Sequence, residues 1–114
     1  MKILILDPEK KANYRISKDT SGGYGTGNDF GDTFVPVFLK KTLKKVHDWP
    51  PMFAVYMMSA LKKNGHNVEY QKNLPTDYDQ YDLFIVVSSI VCCETECEYI
   101  KKISELGKKI FVIG

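Results

Sequence analysis

Four short runs of apolar residues stand out along the chain, separated by longer stretches in which apolar positions recur at helical spacing. Lys2 to Leu6 carries Ile3, Leu4, Ile5 and Leu6 without a break and is closed by Asp7-Pro8. A run this short, stopped by a turn signal, predicts a strand buried on both faces. Leu83-Phe84-Ile85-Val86-Val87, after the polar turn 77–82, and Ile110-Phe111-Val112-Ile113 have the same character. Asn67-Val68-Glu69-Tyr70-Gln71 alternates polar and apolar, which suits an edge strand with one wet face.

Two helices are expected between these strands. The first runs from Pro51 to Asn64, with Phe53, Ala54, Met57, Ala60 and Leu61 on one side and Gly65 just past its end. Proline at the start and glycine beyond the finish are the boundary chemistry of a helix. The second runs from about Glu94 to Leu106 and is closed by Gly107. Glu94, Glu96 and Glu98 come early and Lys101 and Lys102 late, the sense that complements the helix dipole. Cys93, Cys97, Ile100 and Ile103 form the stripe expected to face the sheet. The link 72–81 contains Pro75, so a loop or a single turn is expected there rather than a helix.

Strand, helix, strand, link, strand, helix, strand is the signature of an α/β domain with a parallel sheet. The expected class is Rossmann-like, of the flavodoxin-like kind, with strand order 2-1-3-4 and a ligand at the C-terminal ends of the strands. Two features depart from the usual plan. The connection from Asp7 to Trp49 far exceeds an ordinary loop, and 34–46 within it has helical potential despite Pro36. The chain also stops at Gly114 on the tip of a core strand, so a domain truncated after its fourth strand is expected. An exposed strand edge is a template for association, which leaves a homo-oligomer open.

Composition adds bounds rather than a function. A chain of 114 residues with 44% hydrophobic and 26% charged residues fits one globular domain, 1–114. The net charge of +2 does not call for nucleic acid. No apolar run approaches the roughly eighteen residues of a membrane span, and the N-terminal run is too short for a signal peptide. A cytoplasmic location is the default expectation. Three clustered cysteines, Cys92, Cys93 and Cys97, fit reduced thiols better than a disulfide framework.

Several segments carry candidate chemistry. Ser21 to Gly31, which contains Gly23, Tyr24, Gly25 and Gly27, lets the backbone approach a ligand closely; a flexible loop tip is the competing reading. It lies too far beyond the first strand to be a dinucleotide fingerprint. Asp7-Pro8-Glu9-Lys10 does not resemble a flavin phosphate loop. Ser88-Ser89-Ile90 follows the third strand on the edge where such folds bind ligands, and its hydroxyls either bond a cofactor or cap the next helix. Cys93 and Cys97 lie one turn apart and could share a ligand. Their place on the apolar stripe instead predicts core packing, and replacing both by Ala a stability loss through cavity formation. An iron–sulfur motif of the Cys-x-x-x-Cys-x-x-Cys type would need a cysteine where Ile100 stands. His66 reads as a surface residue, His47 sits beside the N-cap candidate Asp48, and Lys40 to Lys45 reads as a solvated helix face. A receiver domain is rejected, because the third strand ends in Val87-Ser88 where a phosphate-accepting aspartate would be required.

The chain resembles the amino-terminal domain of cobalamin-binding radical S-adenosylmethionine proteins. The resemblance rests on the opening Lys2 to Pro8, the segment Gly22 to Gly31, Trp49-Pro50-Pro51 leading to Leu61 to Val68, Tyr81 to Ser89, and Leu106 to Gly114. It covers nearly the whole chain, and the glycine segment is its most specific part. Cobalamin domains carry Asp-x-His-x-x-Gly after the first strand, Ser-x-Leu after the third and Gly-Gly after the fourth. Ser88-x-Ile90 looks like the second, and Gly114 looks like the start of the third. The first is absent, because Asp7 is followed by Pro8 and Glu9. The resemblance therefore implies cobalamin held without a protein histidine ligand, at Asp7, Pro8, Gly23, Tyr24, Gly25, Gly27, Ser88, Ser89, Ile90 and Gly114. It implies a corrin on the C-terminal edge of the sheet, with cobalt passing a methyl group to a substrate radical made by a partner radical S-adenosylmethionine domain. The iron–sulfur cluster and S-adenosylmethionine belong to that partner, so this chain alone is expected to catalyse nothing and its parent to be methyltransferase-like. An interaction module without a cofactor is the alternative.

Overall fold

A computed structural model of the chain describes residues 1–9, 34–35, 37–38, 50, 52–89 and 92–114. Its elements are β1 (Lys2–Leu6), α1 (Met52–Lys63), β2 (Asn67–Gln71), β3 (Leu83–Val87), α2 (Cys93–Glu105) and β4 (Lys109–Ile113). The four strands form one sheet in the order β2-β1-β3-β4. Every neighbouring pair is parallel, with Leu6 opposite Gln71 and Val86, and Val87 opposite Ile113. The architecture is the Rossmann-like, flavodoxin-like one.

Alternation along the central strands divides the core in two. Ile3, Ile5, Val68, Ile85 and Val87 form one cluster, covered by Met57, Met58 and Leu61 of α1. Leu4, Leu6, Phe84 and Val86 form the other with Tyr81, covered by Ile100 and Ile103 of α2. The two helices thus lie on opposite faces. β1 is sealed on both, which is why its sequence is an unbroken apolar run.

Both helices end the same way. His66 N–H donates to the Leu61 carbonyl and Gly65 N–H to that of Lys62, with Gly65 at φ +82°. Lys108 and Gly107 repeat the pattern on Ile103 and Ser104, with Gly107 at φ +68°. These are Schellman caps, and the glycine avoids the Cβ penalty of the left-handed conformation. The link 72–81 is a loop, as Pro75 predicts. The Asp77 carboxylate accepts the Asp79 N–H at 3.1 Å, and Leu74 and Tyr78 pack under the α2-side core.

The burial expected of β4 and both helical stripes need correction. β4 lies at the edge of the sheet and is not buried on both faces, with Phe111 58% and Val112 47% exposed. In α1 the sheet-facing residues are Ala54, Met57, Met58 and Leu61, while Phe53 is 44% exposed and Ala60 is also exposed. At α2 the sheet-facing stripe is Cys92, just before the helix, then Glu96, half-buried Ile100 and buried Ile103, so Ile100 and Ile103 are as expected while Cys92 and Glu96 take the places expected of Cys93 and Cys97. Cys93 and Cys97 lie on the exposed side. Their replacement by Ala therefore opens no cavity, contrary to the expectation from the sequence.

Pro51, the expected start of α1, lies outside the described residues, as do the basic run 40–45 and His47. Phe34, Val35, Val37 and Phe38 are helical with exposed side chains, in keeping with the helical potential of that stretch. No helix among the described residues is long and apolar enough to cross a membrane.

Candidate functional site

In an open parallel sheet the ligand crevice forms at the C-terminal strand ends where the strand order reverses, because the crossovers leave to opposite sides there. In the order β2-β1-β3-β4 that point lies between β1 and β3. The residues that follow the strands share this rim. Asp7 continues β1, its N–H donating to the Gln71 carbonyl at 3.0 Å, and Ser88 continues β3, its N–H donating to the Ile113 carbonyl at 2.6 Å. Gly114 continues β4 beside Ser88. A Cβ built on Gly114 would stand 3.1 Å from the Ser88 carbonyl oxygen and 3.3 Å from its Cβ, so only glycine leaves this shelf uncrowded.

On the α1 side of the rim, Asp7 is 8% exposed and Pro8 is buried behind it. The Tyr70 hydroxyl donates to Asp7 Oδ2 at 2.7 Å. Burial first, then this bond, pushes the Tyr70 hydroxyl well above its ordinary value, so it stays a protonated donor at every physiological pH. Lys72 Nζ meets Glu9 Oε1 at 3.1 Å and ties the tips of β1 and β2 together.

On the α2 side a buried carboxylate organises the β3 tip. Glu96 is 1% exposed. It accepts the Ser88 hydroxyl at 3.0 Å, the Ser89 N–H at 2.9 and 3.0 Å on its two oxygens, and the Ser89 hydroxyl at 3.4 Å. The Cys92 N–H in turn bonds the Ser89 carbonyl and hydroxyl, each at 3.3 Å. Of the two roles the sequence suggests for these serines, capping is met only in part: the Ser89 hydroxyl accepts the N–H of Cys92, the residue just before α2, and both serines lie half-buried at the β3 tip.

This arrangement sets the electrostatics of the crevice. Carboxylates from both faces, Asp7 and Glu96, flank the switch point. The Ser89 and Cys92 amides at the start of α2, which in a phosphate-binding domain would greet an anion, are taken by acceptors of the chain itself. The half-buried Ser88 and Ser89 hydroxyls donate to Glu96 and keep acceptor capacity, which favours a ligand rich in hydrogen-bond donors.

Of the residues predicted for the site, Asp7, Pro8, Ser88, Ser89 and Gly114 are brought together on one rim. Gly23, Tyr24, Gly25, Gly27 and Ile90 lie outside the described residues. His66 is at the opposite end of the sheet, where β2 begins. Sequence reasoning misses Glu96 and Tyr70. It assigns Glu96 to the helix dipole; the signal that finds it is its place one turn after Cys92 on a stripe that continues through Ile100 and Ile103.

A second polar cluster, on Lys2, Glu69 and Tyr81, lies away from the rim. The Tyr81 hydroxyl donates to Glu69 Oε2 at 2.5 Å, and Lys2 Nζ reaches Glu69 Oε1 at 3.0 Å and Gln80 Oε1 at 2.6 Å. The Tyr81 bond, and then Lys2, hold the Glu69 carboxyl below its ordinary range, while burial and Glu69 push Tyr81 up to about 12.

No group of three or more metal-ligating side chains occurs among the described residues. Compared with family models, curated proteins and solved structures, the chain matches none.

Proposed function

We propose that this chain is a cofactor-binding domain that holds cobalamin on the C-terminal rim of its sheet without a histidine ligand, in the service of a radical S-adenosylmethionine catalytic domain. The observation that carries the reading is the switch point between β1 and β3, with Asp7, Ser88 and the side-chain-free shelf at Gly114 on one rim.

The donor set fits such a group. A corrin ring is fringed with carboxamides, whose N–H groups match the acceptors that Asp7, Ser88 and Ser89 offer. Gly114 leaves a flat approach beside Ser88 for a large planar face. Neither the described rim nor the first-strand loop sequence Asp7-Pro8-Glu9 supplies an imidazole. The bound group would supply a transferable methyl; the chain's own residues bind and orient it. Glu96 holds the Ser88 hydroxyl and Ser89 amide in place, and Tyr70 does the same for the Asp7 carboxylate. A partner domain has apolar surface to meet: Met52, Phe53, Val55 and Tyr56 on α1, and Phe111 and Val112 on β4, are all exposed.

The test is direct. The chain is mixed with hydroxocobalamin, freed of excess dye by gel filtration, and read for corrin absorbance at the protein peak. A coloured peak is expected. A colourless one overturns the cobalamin reading and favours the interaction module, for which those exposed apolar residues are the supporting observation.

A further inference from the structure

We propose that Cys93 and Cys97 form a surface dithiol site for a soft, thiophilic d10 cation of the zinc, cadmium and copper(I) class. Their sulfur atoms lie 3.9 Å apart on successive turns of α2, and both side chains are exposed. The cobalamin reading uses neither thiol, so the two proposals stand or fall separately.

The geometry suits metal capture better than oxidation. Residues one helical turn apart have Cβ atoms roughly 5–6 Å from each other, whereas a disulfide needs about 3.5–4.5 Å. Closing a disulfide here would require unwinding the first turn of α2, and that turn is anchored from inside by Glu96 on Ser88 and Ser89. A metal needs no such movement. With thiolate–zinc bonds of about 2.3 Å, a sulfur separation of 3.9 Å corresponds to an S–metal–S angle of roughly 115°, between tetrahedral and trigonal. Thiolate ligands select soft cations over magnesium or calcium. Because these two thiols are the ligands that the described residues supply, the remaining positions go to water or an exchangeable small ligand, which makes the site open.

The step balances without an oxidant. Two thiols and one divalent cation give one bis-thiolate complex and two protons; each sulfur donates an electron pair, and nothing changes oxidation state.

The reduced full chain is titrated with cadmium chloride under anaerobic conditions, following thiolate-to-cadmium charge-transfer absorption in the ultraviolet and proton release in weak buffer. One cadmium per chain and two protons per cadmium are expected. Cys93→Ser and Cys97→Ser should each weaken binding about tenfold or more, since each turns a chelate into a single-point attachment. Both substitutions are on exposed positions, and circular dichroism checks that α2 persists. Equal absorption and midpoint in the doubly substituted chain would assign the metal elsewhere and overturn the site. So would a wild-type affinity no better than that of the single variants, or one cadmium bridging two chains.

Discussion

A carboxylate that is 1% exposed is stable in a fold only if donors replace its lost water, and at Glu96 the donors are the hydroxyl and amide groups of Ser88 and Ser89. Glu96→Ala removes the acceptor and leaves the half-buried Ser89 amide and Ser88 hydroxyl without it. The expected cost is about 2–4 kcal/mol, read as a lower urea midpoint at unchanged slope. Glu96→Gln keeps the shape and one acceptor oxygen and should recover part of the loss, which a purely steric role would recover in full. At Tyr81 the hydrogen bond can be weakened by pH alone. Its folded-state pKa is raised, from about 10 to about 12, so its contribution is complete below pH 10 and is lost as pH climbs through 12. Urea midpoints measured from pH 9 to 12 should fall more steeply in the wild type than in Tyr81→Phe. The partner group has the opposite sign: Glu69 is lowered, so its contribution is present above its ordinary value and disappears as pH drops through the folded one.

At the scale of elements, the strand bounds are legible in the sequence, while the faces of the helices, and the exposed face of edge strand β4, are only partly so. β1 and β3 are buried on both faces, and nothing but continuous apolar sequence satisfies that environment. Their bounds therefore follow from composition and turn residues alone. A helix stripe is harder to phase, because cysteine and glutamate each suit more than one setting. The stripe Cys93-Cys97-Ile100-Ile103 is the better apolar pattern, yet the fold selects Cys92-Glu96-Ile100-Ile103. The deciding term is tertiary: Glu96 gains the Ser88 and Ser89 donors at the β3 tip, which no reading confined to α2 can weigh. The two phases predict different mutants. Ile103, fully buried, should lose about 2–5 kcal/mol on truncation to Ala. Exposed Cys97→Ala should stay within about 0.5 kcal/mol of wild type. Thermal melts of the two single variants, with metal excluded by a chelator, separate the cases; comparable losses would restore the cysteine-facing phase.

For the whole molecule, the order β2-β1-β3-β4 is legible because chain order, two crossover helices and a parallel sheet leave few topologies. What cannot be read is the lateral pairing of groups from distant segments, such as Tyr70 with Asp7, sixty-three positions apart, since no local pattern records it. That lateral organisation is also where the functional reading is most exposed to test. If the rim binds cobalamin as a unit, changes at separate strand tips must act on one ligand. Gly114→Val brings a Cβ to 3.1 Å from the Ser88 carbonyl and fills the shelf; Ser88→Val removes an acceptor from the same edge. Each should lower cobalamin retention severalfold, on the scale of roughly tenfold for every 1.4 kcal/mol of binding free energy removed. Asp82, whose carboxylate accepts the Lys2 N–H at the opposite end of the sheet, provides the control: Asp82→Asn should leave retention unchanged. Equal losses at both ends would mean that the variants act through folding, whereas losses confined to Ser88 and Gly114 would locate the ligand on the rim that the parallel sheet creates.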